Sequence, residues 1–291
     1  MTTHDPANME RKREALYTRL RNIGRLMVAY SGGTDSAYLA YAAHAVLGEE
    51  MLAVIADSPS LARADLNSAI NFATAYAIPL RIVQTHELAA PDYVRNSSDR
   101  CFHCKDELFR VMSTIREYPA VAYGMNLDDI GDFRPGQRAA TQHHVLAPLA
   151  EAGLTKSEIR DLARQAGLSI WDRPAAACLS SRIAYGLPVT RETLDRIEQG
   201  EAFLASLGLR QFRVRHHDEI ARIEIDRAEM EQLFSLAIYD RITATFKSLG
   251  YKFVTLDLEG FRSGSMNALL PASAIGRNNT EAAPISSEIT R

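Results

Sequence analysis

A glycine pair set between two apolar blocks constrains this chain more than any other feature. Arg25 to Tyr30 (RLMVAY) is a short apolar run that predicts a buried strand. Ser36 to Leu47 is alanine-rich with no breaker and reads as a helix, with Gly48 at its end. Between them stands Ser31-Gly32-Gly33-Thr34-Asp35-Ser36. Gly32 and Gly33 lack Cβ atoms, so the backbone there can approach an anion closely and adopt positive φ. The first-turn N–H groups of a helix have no partner within it, and the helix dipole favours negative charge beside them. Ser31 and Ser36 add hydroxyl donors, while Asp35 suits phosphates only with a Mg²⁺ ion between them. Two other phosphate loops are excluded by inspection: there is no G-x-x-x-x-G-K-[ST], and no G-x-G-x-x-G follows the strand.

The same alternation continues. Met51 to Ala56, Leu80 to Thr85 and Ala120 to Tyr123 read as further strands. Helical patterns cover Glu10 to Ile23, Ala62 to Tyr76, Lys105 to Arg116, and a segment opened by Thr155, whose capping box with Glu158 is closed off by Gly167. Over about 1–170 this predicts a parallel sheet covered on both faces. Ligands of such sheets lie beyond the carboxyl ends of the strands, so the turns after Tyr30, Ala56 and Tyr123 should share one site.

After Val189 the pattern changes. Thr190 to Leu207 is a helix with a polar face, and Phe212 to His217 and Ile220 to Ile225 form a hairpin around Asp218-Glu219. Ala228 to Leu249 reads as a helix and Lys252 to Leu258 as a strand. The expected architecture is α/β: a parallel-sheet domain over 1–188, then a smaller α+β domain over 189–271 for substrate binding and oligomerisation. The Ser-, Thr-, Asn- and Pro-rich stretch 272–291 reads as a disordered tail.

Composition narrows the class. With 46% apolar and 24% charged residues in 291, the chain can bury a sizeable core. Its formal charge of −3 argues against a nucleic-acid partner, whose phosphates demand clustered Lys and Arg. No apolar run approaches the ~20 residues of a spanning helix, and the polar stretch from Met1 to Arg13 is unlike a secretory signal. The expectation is a cytoplasmic protein with no membrane partner.

The three cysteines are Cys101, Cys104 and Cys178. Cys101-Phe102-His103-Cys104 can converge on one metal, and a lone C-x-x-C also fits a redox pair or half of an iron–sulfur site. Cys178 lies near Arg182, whose charge would favour a thiolate. Three thiolates are one short of a closed zinc site, which a histidine such as His103 could complete. They also leave one iron of a 4Fe-4S cubane open for an extra sulfide. The cluster, direct sulfur donation by Cys178, and a zinc or structural role stay open at this point. In Phe212-Arg213-Val214-Arg215, strand alternation puts both arginines on one face, which suits a mononucleotide phosphate. His216 and His217 read as solvated hairpin residues.

The hexapeptide SGGTDS resembles the SGGxDS signature of the PP-loop ATP pyrophosphatases, which split ATP between its α- and β-phosphates and adenylate a substrate oxygen. Longer segments resemble the LarE family: Arg100 to Lys105, Tyr123 to Asp129, Asp132 to Gly136, Ala177 to Arg182 and Asp257 to Asn267. The resemblance implies an ATP-dependent sulfur transferase of nickel-pincer nucleotide biosynthesis. Such an enzyme adenylates a carboxylate of a pyridinium dicarboxylate mononucleotide, and sulfur then displaces AMP. It implies Asp57, Ser58 and Gly124 around the adenosine, with ATP and Mg²⁺ at Ser31, Gly32, Gly33, Asp35 and Ser36. Arg213, Arg215 and Glu201 would lie at the substrate. Asp128, Asp129 and Arg134 would lie near the active site. Cys178 matches the family's sulfur-bearing position, with Arg182 as its cationic neighbour. All three cysteines are present, so the chain resembles the members that use a 4Fe-4S cluster, and departs from those that sacrifice a single cysteine. A homo-oligomer and a sulfur-donor protein are the partners this reading expects. Its rivals are a tRNA thiolase of the same superfamily, an ammonia-using synthetase and a nucleotide-binding regulator.

Overall fold

The four apolar runs of the first half pair side by side. In the computed structural model, which describes residues 5–130, 135–174, 177–233, 235–262 and 264–269, they are β1 (Leu26–Ala29), β2 (Met51–Asp57), β3 (Leu80–Gln84) and β4 (Ala120–Tyr123). All pairings are parallel, in the order β3-β2-β1-β4, with Leu26 of β1 opposite both Met51 and Ala120. Ten α-helices accompany the strands among the described residues: α1 (Pro6–Ile23), α2 (Thr34–Leu47), α3 (Arg63–Ala75), α4 (Pro91–Val94), α5 (Arg100–Met112), α6 (Pro135–Gln142), α7 (Pro148–Glu151), α8 (Lys156–Gln165), α9 (Arg191–Ser206) and α10 (Leu236–Ser248).

Side-chain alternation in the strands builds two cores. Leu26 and Val28 join Met51, Ala53 and Ile55 in packing against Leu16 of α1, Leu39 of α2, Phe72 of α3 and Ile159 of α8. Met27, Leu52 and Val54 face the other way, onto Phe109 and Met112 of α5 and Ala139 and Ala140 of α6. The chain winds outward from β1 through β2 to β3, then returns to β4 on the opposite side of β1. The winding direction therefore reverses between β1 and β4, which makes their carboxyl ends the place for a ligand crevice.

The second sheet holds β5 (Phe212–His217), β6 (Ile220–Ile225) and β7 (Phe253–Leu256). The expected hairpin forms with Asp218 in the left-handed region at φ +57, and β7 runs parallel to β6. Its core takes Leu194 and Ile197 from α9, Ile242 and Phe246 from α10, and also Tyr93, Leu179 and Ile183 from earlier in the chain. Those three residues join the two halves.

Several sequence expectations shift. The helix expected from Lys105 begins at Arg100 and stops at Met112, so Cys101 lies in its first turn and Cys104 at the start of its second. It stops because the hydroxyls of Ser113 and Thr114 bond back to the carbonyls of Arg110 and Val111. The single helix expected over Ala228 to Leu249 is a short 3-10 turn (Met230–Leu233) followed by α10, whose start is fixed by Ser235 capping the N–H of Ile238 at 3.2 Å. His216 is not solvated: β5 turns it inward with Val214, its Nδ1 lies 3.2 Å from the Tyr251 hydroxyl, and burial lowers its pKa. His217 is half-buried on the other face. Among the described residues no helix is long and apolar enough to cross a membrane. The stretch 272–291 and Arg134 lie outside the described residues.

Candidate functional site

The loop between β1 and α2 is held from inside. Ser31 N donates to Ser36 Oγ at 3.1 Å, and that hydroxyl donates to Gly33 O at 3.1 Å. Ser36 is thus a brace of the loop, while Ser31 is exposed. Gly33 occupies the N-cap of α2 with no side-chain cap, so the helix end is open to a ligand. Gly32 has φ +72, and a Cβ there would lie 2.7 Å from the Ala69 Cβ. Gly124, at the end of β4, would bring a Cβ to 2.7 Å from Ser36 N. The ends of β1 and β4 therefore close on one another at the reversal point, as the sequence predicted.

Asp35 lies half-buried in the first turn of α2. Its Oδ1 is enclosed without a well-formed hydrogen bond, as is the amide nitrogen of Asn126 beyond β4, which lies near enough to the Asp35 carboxylate to temper its pKa. Burial raises the Asp35 pKa; Lys156, whose Nζ is 4.0 Å from Oδ2, opposes this, and Asp129 adds to it. An enclosed carboxylate oxygen lacking a well-formed hydrogen bond, beside a second carboxylate, fits a hard divalent cation such as Mg²⁺. Asp129 also caps its own turn by accepting from Asn126 N at 3.2 Å, and Asp128 Oδ2 accepts from Lys156 N at 2.8 Å.

Asp57 and Ser58 end β2 beside this loop. Asp57 is engaged by Arg63 and by Gln84 Nε2 at 2.9 Å, and the Arg63 hydrogen bond holds its carboxyl below the usual range. Ser58 is buried and turned inward, bonded to Ser60 Oγ at 2.7 Å and to the buried carboxylate of Glu87. Two basic residues at the loop escaped the sequence reading. Arg173 donates to Gly32 O at 3.1 Å and to Asp65 Oδ1 at 2.7 Å, and Lys156 reaches Asp35. Neither lies in a recognisable motif; only the packing of the start of α8 and of the segment after it against the loop reveals them.

The cysteines meet where the first half of the chain touches the second sheet. Cys178 leads into a 3-10 turn, Leu179–Arg182. Leu179 N donates to Ser60 O at 2.8 Å, the Ser180 and Tyr93 hydroxyls are 2.6 Å apart, and Arg100 Nη1 donates to Ser180 O at 2.9 Å. Burial raises the Cys104 thiol strongly, with Cys178, Glu87 and Cys101 adding to the rise. Desolvation also raises Cys101, which keeps a face to solvent, and Arg100 opposes that rise. His103 faces Asp99 at 3.5 Å. Among the described residues no three His, Cys, Asp or Glu groups converge on one ion position, so a closed zinc site finds no ligand set there. The ligands of a cluster bind separate irons and need not converge on one ion position.

Arg182 has a different partner from the one expected. Its Nε and Nη2 meet Glu201 Oε1 and Oε2 at 2.9 and 3.1 Å, and its Nη1 donates to the carbonyls of Ala177 and Cys178. Its hydrogen bonds reach the backbone of Cys178, while the guanidinium beside the thiols themselves is that of Arg100. Arg213 and Arg215 do share a face, on a cleft of about 220 Å³ lined also by Arg100, Tyr185, Phe261 and Arg262. They are not equivalent. Arg215 is buried and bidentate to Glu224 Oε2 at 3.0 and 2.8 Å, and also donates to Ser181 O at 3.1 Å. Arg213 stacks over the Phe261 ring at 5.0 Å, and burial, aided by Arg182, brings its pKa down to about 10. That still leaves it charged at neutral pH, a desolvated cation facing the cleft.

No protein-family model matches the chain. An uncharacterized protein of Synechocystis sp. is 39% identical over 265 residues, covering 90% of this chain and 99% of its own length. Pyridinium-3,5-bisthiocarboxylic acid mononucleotide synthase of Lactiplantibacillus plantarum is 33% identical over 269 residues, 91% of this chain and 96% of the relative. The chain belongs to the LarE family. An uncharacterized protein of Methanocaldococcus jannaschii is 29% identical over 242 residues, 82% of this chain and 91% of its own. The match to the LarE synthase runs over nearly the whole chain. The name of that LarE relative describes a product that is a mononucleotide with two thiocarboxylic acid groups.

Proposed function

We propose that this chain is an ATP-dependent sulfur transferase acting on pyridinium-3,5-dicarboxylate mononucleotide, in nickel-pincer nucleotide biosynthesis. In this reading residues 1–188 activate the substrate and 189–271 recognise it, in a cytoplasmic homo-oligomer served by a sulfur-donor protein. The observation that carries it is the buried chain of contacts from the nucleotide side to the thiols: Ser58 and Ser60 on Glu87, and Ser60 O on Leu179, the neighbour of Cys178.

A carboxylate is a poor electrophile because two oxygens share its charge. In the first step a carboxylate oxygen attacks the α-phosphorus of ATP, the bond to the β-phosphate breaks, and pyrophosphate leaves. The open N-terminus of α2 takes up charge growing on pyrophosphate, and Asp35, with Asp129 beside it, would hold Mg²⁺. In the second step sulfur attacks the acyl carbon, the bond to AMP breaks, and a thiocarboxylate remains. A 4Fe-4S cluster on Cys101, Cys104 and Cys178 would supply replaceable inorganic sulfide and spare the protein's own sulfur. In a second reading, favoured by the Cys178 turn forming part of the arginine cleft through Ala177 and Ser181, the Cys178 thiolate attacks the acyl carbon, the bond to AMP breaks, and the thioester's Cβ–S bond then breaks with loss of the Cα proton, leaving dehydroalanine.

The test is a turnover assay with ATP, Mg²⁺ and the dicarboxylate mononucleotide. AMP and pyrophosphate should form in equal amounts with each thiocarboxylate; ATP binding without either would leave a nucleotide-binding regulator. Iron and acid-labile sulfide in anaerobically prepared protein separate the two sulfur sources: none after reconstitution, with Cys178 converted to dehydroalanine by mass spectrometry, establishes sacrifice. Tight tRNA retention on filters at moderate salt would return the chain to the tRNA thiolases.

A further inference from the structure

One charge in the cleft has no assigned partner. Arg100 is 5% exposed, and its Nη1 donates to two neutral oxygens, Asn96 Oδ1 and Ser180 O. Its guanidinium lies 6.0 Å from the Tyr185 ring centre, and among the described residues no carboxylate pairs with it. Arg173, Arg182, Arg215 and Arg222 each meet one. A buried guanidinium served only by neutral acceptors is costly, and the cost is recovered when an anion arrives. Both of its hydrogen bonds to oxygen leave from Nη1, and its remaining neighbour is the Cys101 sulfur, so no oxygen occupies the Nε–Nη2 edge, a fork matched to a carboxylate.

Its location indicates the anion. Arg100 lines the same cleft as Arg213, Arg215 and Arg262, on a wall that includes Ala177 and Ser181 to either side of Cys178. Arg100 donates to Ser180 O at 2.9 Å, two residues beyond Cys178, whereas Arg213 stacks over the Phe261 ring at 5.0 Å. The two cations therefore mark two poles, one of them at the thiols. We propose that Arg100 grips a ring carboxylate of the mononucleotide at the thiol pole, while the phosphate lies toward Arg213. This rests on the mononucleotide reading above and adds a specificity residue to it. It also orients the molecule, since the carboxylate that Arg100 selects is the one brought to sulfur.

Calorimetry with two probes tests it: nicotinic acid mononucleotide and nicotinamide mononucleotide, which share ring and phosphate and differ by a carboxylate against an amide. Wild-type protein should prefer the acid by about tenfold or more, from one charge-assisted hydrogen-bond pair. Arg100→Gln should bring that ratio near one with nicotinamide mononucleotide binding unchanged, and Arg100→Lys should keep part of the ratio. Arg213→Gln should weaken both probes alike. A ratio surviving in Arg100→Gln, or absent in wild-type protein, overturns the proposal and leaves the mononucleotide reading standing. Failure of wild-type protein to bind either probe removes that reading and this proposal together. Should Arg100→Gln not fold, the wild-type ratio and its several-fold loss in Arg100→Lys decide.

Discussion

Arg182 and Glu201 form a bidentate pair, at 2.9 and 3.1 Å, with side chains 5% and 14% exposed. Glu201 also accepts from Val214 N at 3.1 Å, so one carboxylate ties the Cys178 turn and α9 to β5. Removing Glu201 with an alanine leaves a buried guanidinium without its counter-charge, and should cost about 3 kcal/mol of stability. Combining Glu201→Leu with Arg182→Met should cost less than Glu201→Ala alone. Urea unfolding of the three variants checks this.

Asp35 gives a pH- and metal-dependent prediction. Burial raises its folded pKa above the unfolded value, so the carboxylate form destabilises the free protein, and stability falls as pH rises from the ordinary aspartate range through the raised one. Asp35→Asn should therefore melt higher than wild type at neutral pH without ligand, the gain vanishing in acid. Mg²⁺ with ATP should raise the melting temperature of wild-type protein and leave Asp35→Asn nearly unmoved.

Gly124→Ala tests the closure of β4 on the loop. The added methyl would lie 2.7 Å from Ser36 N, 2.9 Å from Ser36 Cα and 3.0 Å from the Asp35 carbonyl carbon, all backbone atoms with little room to give. Overpacking of roughly 1–3 kcal/mol falls on the loop itself. ATP affinity should drop about tenfold or more by equilibrium dialysis, with circular dichroism unchanged.

His216 predicts an acid sensitivity centred on the second sheet. Its folded pKa lies below the unfolded value because of burial, with Arg196 adding to the effect. Its contribution is complete above the ordinary histidine pKa of about 6.5 and is lost as pH falls through the lowered one. His216→Phe should flatten the decline of the melting temperature in that window. Hydrogen exchange in β5 and β6 would localise the effect.

Much of the architecture was legible because local signals agreed. Buried runs of four to seven residues, glycines at strand ends and the Thr155–Glu158 box each pointed to the element that formed. The hairpin of Phe212–His217 with Ile220–Ile225 matched to the residue. What escaped depends on distant contact. His216 was misread because nothing local reveals that Tyr251 lies beside it, and Arg215 could not be matched to Glu224 until register placed their strands together. Arg100 was part of the recognised Arg100–Lys105 segment, yet its unpaired state follows only from what surrounds it in three dimensions. The short helices α4, α6 and α7 left no periodic trace for the same reason: they are too brief to show one.

The hydrogen bond from Leu179 N to Ser60 O has a kinetic meaning. It fastens the segment bearing Cys178 to the strap that leaves β2 on the nucleotide side. Under the proposed function, a nucleotide that displaced that strap would pull directly on the turn that carries Cys178. Deuterium exchange at the Leu179 amide therefore reports how firmly the strap after β2 and the turn bearing Cys178 are held together.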